Sequence, residues 1–257
     1  MGQPAFFTAA SGRRIAYRKT EGQGPGVVFL GGFKSDMEGT KAVHLEAWAR
    51  RTGRAFLRFD YSGHGQSSGV FTDGCISDWA EDAMAVLSAL AEGPQVLVGS
   101  SMGGWIALLC VRAMPETVAG LVTIAAAPDF TEDAMWAGFS DSQKAELQSK
   151  GQVALPSDYG EPYIITRRLI EDGRRNLVLR DPLIIPLPVR FLQGTGDIDV
   201  DKSVALRVFE HCKGSDMRLT LVEGADHRFS DADCLALIET SVEDVIARAA
   251  RAPADRI

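Results

Sequence analysis

The chain is 257 residues long, ample for one domain that buries roughly three quarters of its unfolded surface without disulfide or metal staples. Its 46% hydrophobic and 24% charged residues are the balance of an ordinary globular protein. A net charge of −7 argues against nucleic acid as a partner, because phosphate binding needs a basic face.

The opening stretch, MGQPAFFTAASGRR, lacks the basic segment and apolar run of a secretory signal. Phe6 also stands where a myristoylation signal needs Ser or Thr. No apolar run reaches the ~20 residues of a membrane helix, so no membrane span is expected and the expected compartment is the cytoplasm. Arg13 to Lys19, with the segment before it, predicts an antiparallel hairpin at a sheet edge. The run GVVFL at 26–30 is apolar throughout and bounded by glycines, as a strand buried on both faces should be. Stretches 55–59, 96–98, 121–125, 189–192 and 219–222 read the same way. Between them, 44–51, 77–91, 105–114 and 204–212 carry helix-compatible apolar spacing. A last helix over 232–250 sets Leu235, Ile238, Val242, Val245 and Ile246 on one side, and the tail RAPADRI is expected to fray. Such alternation predicts an α/β fold with a mostly parallel central sheet flanked by helices.

Residues 129–188 break the pattern. DSQKAELQSK and EPYIITRRLIEDGRRNLVL predict two amphipathic helices joined by a turn containing Pro and Gly. Sixty residues are too many for a plain loop. The expected organisation is a single domain over 1–257 with a small helical cap at 129–188, inserted between two sheet strands.

Cys75, Cys110, Cys212 and Cys234 show no C-x-x-C spacing and no partner His, so they are expected to be reduced thiols and no metal site is expected. Chemistry concentrates elsewhere. Gly99-Ser100-Ser101-Met102-Gly103 is a G-x-S-x-G pattern that follows the apolar run QVLV and precedes WIALLCV. A strand-to-helix setting is what a nucleophile elbow requires, since the sharp turn exposes the serine oxygen. Ser100 is the weaker candidate, because Val98 occupies the place where its own elbow needs Gly.

A serine hydroxyl needs a base, supplied in this arrangement in the chain order Ser, acid, His. His44 and His64 precede Ser101, and His211 ends a predicted helix, where surface capping explains it. His227 follows the strand LTLV and is the expected base. The acid should follow VRFLQ, where Asp197, Asp199 and Asp201 compete. Asp197 comes first, after two glycines; Asp199 and Asp201 are more simply turn or N-cap residues, and Asp129, after LVTIAAAP, is a fourth possibility. The oxyanion of acyl transfer needs two backbone N–H donors. Met102, after the nucleophile, is one, and Phe33, after Gly31-Gly32, is the expected other.

Phe33, Phe130, Met135, Trp136 and Phe139 offer an apolar surface for an acyl chain, although such residues are as often plain cap core. Arg167, Arg168, Arg174 and Arg175 could pair with an acidic leaving group or form a solvated helix face. The turn-rich run from Asp60 to Ser67 lacks the Gly-Lys-Ser/Thr ending of a phosphate-binding loop. It reads as a tight loop beside the active site, with His64 a hydrogen-bonded loop residue.

Together these motifs resemble the α/β-hydrolase superfamily over nearly the whole chain. Within it, GGFKSDMEGTKA, LRFDYSGHGQSSG, VLVGSSMGGW and EGADHR resemble the family of the mitochondrial mycophenolic acid acyl-glucuronide esterase, also described as a palmitoyl-protein thioesterase. That resemblance implies a Ser101–Asp197–His227 triad, Phe33 and Met102 as oxyanion donors, and a small-molecule acyl ester or thioester as substrate, with no cofactor. A small-amide peptidase and a non-catalytic binding protein are the alternatives on this fold. Two departures stand out: Gln193-Gly194 where the family's loop begins His-Gly, and Asp201 in place of a common Pro.

Overall fold

The computed structural model describes residues 3–156 and 162–251. Its first strands are β1 (Ala5–Thr8), β2 (Arg14–Thr20), β3 (Gln23–Leu30), β4 (Arg54–Phe59), β5 (Gln95–Ser100) and β6 (Val118–Ile124). Then come β7 (Gln152–Leu155), β8 (Tyr163–Thr166), β9 (Leu183–Ile184), β10 (Val189–Gly194), β11 (Cys212–Lys213) and β12 (Met217–Val222). The main sheet has eight strands in the order β1-β2-β4-β3-β5-β6-β10-β12. Only β1/β2 and β2/β4 pair antiparallel, which gives the expected hairpin at the edge of a mostly parallel sheet.

Side chains alternate across each strand, and the alternation divides the core. Val27 and Phe29 of β3 and Val96 and Val98 of β5 face one way. There they meet α1 (Thr40–Thr52) through Leu45 and Trp48. Val28, Leu30 and Leu97 face the other way, against α2 (Ile76–Leu90) and α3 (Met102–Ala113) through Trp79, Val86, Trp105 and Ile106. After them come α4 (Asp141–Lys150), α5 (Arg167–Gly173), α6 (Lys202–His211) and α7 (Ala232–Ala249). The last of these packs with α1 by Ile238, Val242 and Val245. With both faces covered, central strands are free to be apolar throughout. The four cysteines are buried and unpaired.

Residues 129–188 lie between β6 and β10 and differ from the sequence expectation in one respect. DSQKAELQSK is a helix, α4, closed at its start by a capping box between Ser140 and Gln143. Of the described residues in EPYIITRRLIEDGRRNLVL only Arg167–Gly173 is α-helix, because Tyr163–Thr166 pairs antiparallel with Gln152–Leu155. Two β-branched isoleucines and a Thr favour the strand. Thr166 then caps α5, its hydroxyl accepting from the Leu169 amide at 3.2 Å. The turn expected between the two segments falls largely outside the described residues, as does the tail after Arg251.

Candidate active site

Ser101 sits where β5 ends and α3 begins, in the left-handed region at φ 55°, ψ −118°. Few non-glycine residues hold such a conformation unless their surroundings fix it. Here the Ser101 amide donates to Ile124 O at 2.9 Å and its carbonyl accepts from the Gly104 and Ala127 amides. The two pattern glycines make the turn possible. A Cβ on Gly103 would lie 2.1 Å from Leu30 O, and one on Gly99 would lie 2.4 Å from Gly103 O. Any side chain at either place would push strand and helix apart.

His227 arrives on the loop after β12, and Asp197 on the loop after β10. His227 Nε2 is 3.2 Å from Ser101 Oγ, and its Nδ1 is 2.9 Å from Asp197 Oδ2. The buried Asp197 carboxylate also accepts from Gln193 Nε2 at 3.0 Å and from the Asp199 and Val200 amides at 2.9 and 2.8 Å. Burial pushes its pKa up, but the His227 hydrogen bond, the Val200 amide, the His227 charge and Gln193 outweigh that, and it lies below the ordinary carboxylate value. An anionic carboxylate on Nδ1 holds the ring with its proton there, which leaves Nε2 free to accept from serine.

The Met102 amide opens α3 and so has no intrahelical acceptor. Gly32 passes beside the nucleophile, since a Cβ there would be 3.5 Å from Ser101 Cβ. Phe33 and Met102 both line the cavity that contains Ser101 and His227. That cavity holds about 560 Å³ and has two kinds of wall. Phe33, Met102, Ala127, Phe130, Met135 and Tyr163 are apolar, whereas Lys34, Asp36, Lys41, Asp199 and Arg228 are charged.

The other candidates fall elsewhere. Asp129 is buried and accepts from the Val178 and Leu179 amides at 2.8 and 3.0 Å and from Arg180 at 3.1 Å, so it ties down the chain leading back to the sheet. Asp201 is the N-cap of α6, accepting from Ser203 N. Trp136 and Phe139, expected at the acyl surface, do not line the cavity. Trp136 packs edge-on against Phe139 and under Lys144 and Arg174, and Phe139 joins the core. The backbone over Thr131–Trp136 winds as a π-helical turn, so the residues up to Trp136 do not follow ordinary helical spacing. The four arginines pair with protein carboxylates: Arg167 with Glu171, Arg168 with Asp78, Arg174 with Glu132, Arg175 with Asp172. None lines the cavity.

Two residues have roles that sequence reasoning missed. Gln193, noted only as a departure from the family's His-Gly, holds the acid. Lys41 Nζ donates to Arg228 O beside the histidine; burial lowers its pKa to about 8, against the pull of Asp226, Cys234 and Asp197. Among the described residues, Asp197, Asp199 and His227 offer possible metal-ligand atoms within 4.8 Å of one another, but Asp197 and His227 already engage each other. No described helix is long and apolar enough to cross a membrane.

A mostly parallel sheet carrying a serine on a strand-to-helix elbow, with a histidine and a carboxylate delivered by the last two strands, defines an α/β-hydrolase. The family model for "Serine aminopeptidase, S33" matches residues 26–184. The mitochondrial palmitoyl-protein thioesterase ABHD10 of Rattus norvegicus is 36% identical over 234 residues, covering 90% of this chain and 78% of the relative. A solved structure from Agrobacterium vitis S4 superposes with a TM-score of 0.91 at 40% identity, over 95% of this chain and 98% of the other. Mouse alpha/beta hydrolase domain-containing protein 10 gives 0.89 at 33%, over 96% and 99%. The chain belongs to the ABHD10 palmitoyl-protein thioesterase family, and it is a serine hydrolase of the esterase type.

Proposed function

We propose that this protein hydrolyses carboxylic esters or thioesters of small molecules through Ser101, His227 and Asp197. The observation that carries the reading is the continuous relay from Ser101 Oγ through both His227 nitrogens to the buried Asp197 carboxylate. His227 Nε2 takes the serine proton as Oγ attacks the acyl carbon. The oxygen left negative lies against the Met102 and Phe33 amides. Collapse expels the alcohol or thiol, which takes the proton from His227, and leaves an acyl-enzyme. Water, deprotonated by the same nitrogen, attacks the acyl-enzyme; the second tetrahedral state releases the acid and returns the proton to Ser101. Every proton and electron pair moves among these residues, substrate and water, so the cycle calls for no cofactor.

The apolar wall, with Phe130 and Met135, fits the acyl chain, and the charged wall fits the leaving group. Residues 129–188 act in this reading as a cap on a single domain, and they supply Phe130, Met135 and Tyr163 to the cavity. Four unpaired, buried thiols suit a reducing compartment, in keeping with the cytoplasm. The test is fluorophosphonate labelling, followed by a panel of p-nitrophenyl esters, acyl-thioesters, an acyl-glucuronide and aminoacyl amides. The amides are included because the matched family model carries an aminopeptidase's name. Labelling of the wild type but not Ser101→Ala, with ester or thioester turnover that vanishes in Ser101→Ala, is the expected result. No labelling, or wild-type rates in Ser101→Ala, would overturn it.

A further inference from the structure

The run Asp60–Ser67 reads as a loop beside the site, yet two of its side chains, Asp60 and His64, reach the segment that carries the Phe33 amide. His64 is buried, and its Nε2 is 3.2 Å from the Lys34 amide. Its Nδ1 is 3.1 Å from Ser62 O, a carbonyl, so Nδ1 must carry the ring proton and Nε2 must be the acceptor. The ring is held edge-on by Tyr61, Phe71 and Trp79, at centroid distances of 5.6, 5.1 and 5.2 Å. Burial lowers its pKa to about 4, against the Ser62 hydrogen bond, so it stays neutral and keeps its lone pair. A few residues along, Asp60 Oδ1 accepts from the Met37 amide at 2.6 Å. The buried Arg58 donates to Met37 O at 2.5 Å.

The segment so gripped needs holding. Lys34 lies in the left-handed region at φ 58°, unfavourable for a residue with a Cβ. Ser35 closes the turn from within, its amide and hydroxyl both donating to Gly32 O. The Phe33 N–H belongs to the same planar peptide as Gly32 O, which Ser35 closes, and the next peptide, Phe33–Lys34, is fixed by His64. Preorganised donors serve an oxyanion only if they need not reorient during reaction.

We propose that His64 is a positioning residue for hydrolysis: by accepting from the Lys34 amide it fixes the direction of the Phe33 N–H toward the oxyanion. This rests on the reading of Phe33 as an oxyanion donor. His64 touches no reacting atom; it acts through the backbone.

Three substitutions separate this role from packing. His64→Phe keeps a ring among the aromatics but has no acceptor, and Ser62 O still receives Trp79 Nε1 at 3.1 Å. His64→Gln can set its carbonyl oxygen near the place of Nε2, whereas the shorter His64→Asn cannot reach it. With p-nitrophenyl butyrate, kcat should fall about 10- to 100-fold in the Phe and Asn variants, less than or equal to the loss of a whole donor. KM should stay within about twofold, and Gln should restore kcat to within about threefold of wild type. The Ki of an alkyl trifluoromethyl ketone, which forms an oxyanion on Ser101, should rise in step with the loss of kcat, while that of the corresponding alcohol stays put. If His64→Phe does not fold, the Gln and Asn pair carries the comparison. Equal kcat in Gln and Asn, a loss confined to KM, or an unchanged ketone Ki would overturn the proposal. Wild type and Ser101→Ala run alongside: absence of wild-type turnover, or survival of activity in Ser101→Ala, would instead overturn the parent reading and take this one with it.

Discussion

Replacing Asp197 by Asn probes the acid with the least change of shape. The carboxylate has four donors around it: His227 and Gln193 on Oδ2, and the Asp199 and Val200 amides on Oδ1. An Asn keeps its oxygen toward the two amides, because the reverse orientation would set its NH2 against two N–H groups. Its NH2 then faces His227 Nδ1, which must accept. The ring proton moves to Nε2, and Nε2 can no longer take the proton of Ser101. In a Ser-His-Asp site this wrong tautomer costs about 10⁴ in kcat, or about 5 kcal/mol of barrier. Were Asp197 only a tether for its loop, the loss would be that of an ordinary charged hydrogen bond, about 1.5–3 kcal/mol of stability, with kcat nearly intact. Steady-state hydrolysis of p-nitrophenyl butyrate by wild type, Asp197→Asn and Asp129→Asn, each checked by thermal unfolding, distinguishes the two. The expected outcome is a loss near 10⁴ for Asp197→Asn and less than tenfold for Asp129→Asn. A kcat within tenfold of wild type for Asp197→Asn would refute the reasoning, as would a 10⁴ loss confined to Asp129→Asn.

Three more expectations follow from the packing. Because the folded pKa of His64 is depressed from 6.5 to about 4, the unfolded chain takes up a proton that the folded one refuses; its contribution is full above pH 6.5 and is lost as pH falls through about 4. That gap is worth roughly 3 kcal/mol, so urea unfolding at pH 7.5 and 4.5 should show a steeper acid loss for wild type than for His64→Gln; parallel losses would contradict the buried neutral ring. Met135→Ala should raise KM for octanoyl esters relative to acetyl esters, and Trp136→Ala should leave that ratio alone, since only Met135 lines the cavity; the opposite pattern would put the acyl chain elsewhere. Gly103→Ala should cost about 3 kcal/mol or more in urea unfolding, because its Cβ meets backbone at Leu30 and Gly31; wild-type stability would show that strand and helix are not so close.

Much of the fold is written in local pattern. Strands such as GVVFL and QVLV are apolar on both faces because helices cover both, and that signal needs no partner to be read. The elbow was legible because its glycines and its strand-helix setting are contiguous. Residues 129–188 are less legible. The short run YIIT fits either a buried helix segment or a strand, and pairing with Gln152–Leu155, invisible locally, decides it. Trp136 is expected at the acyl surface only because it is apolar and near Met135 in sequence, and that says nothing of which way the ring faces along the π turn. His64 reaches a residue 30 positions away, and no local periodicity announces such a contact.

Phe33 couples parts of the molecule that can otherwise be described separately. Its amide belongs to the proposed oxyanion-donor loop, while its ring touches Phe71 and Trp79 on one side and Phe130 and Tyr163 of the 129–188 region on the other. Ring and amide share one Cα, so a shift of that Cα moves both. With Phe33 as the proposed oxyanion donor, the 129–188 region and that donor meet in this one residue. On that reading an acyl chain that displaces Phe130 or Tyr163 should alter the rate at which it is cleaved as well as the grip with which it is held, and substrate choice should be written in turnover as much as in affinity.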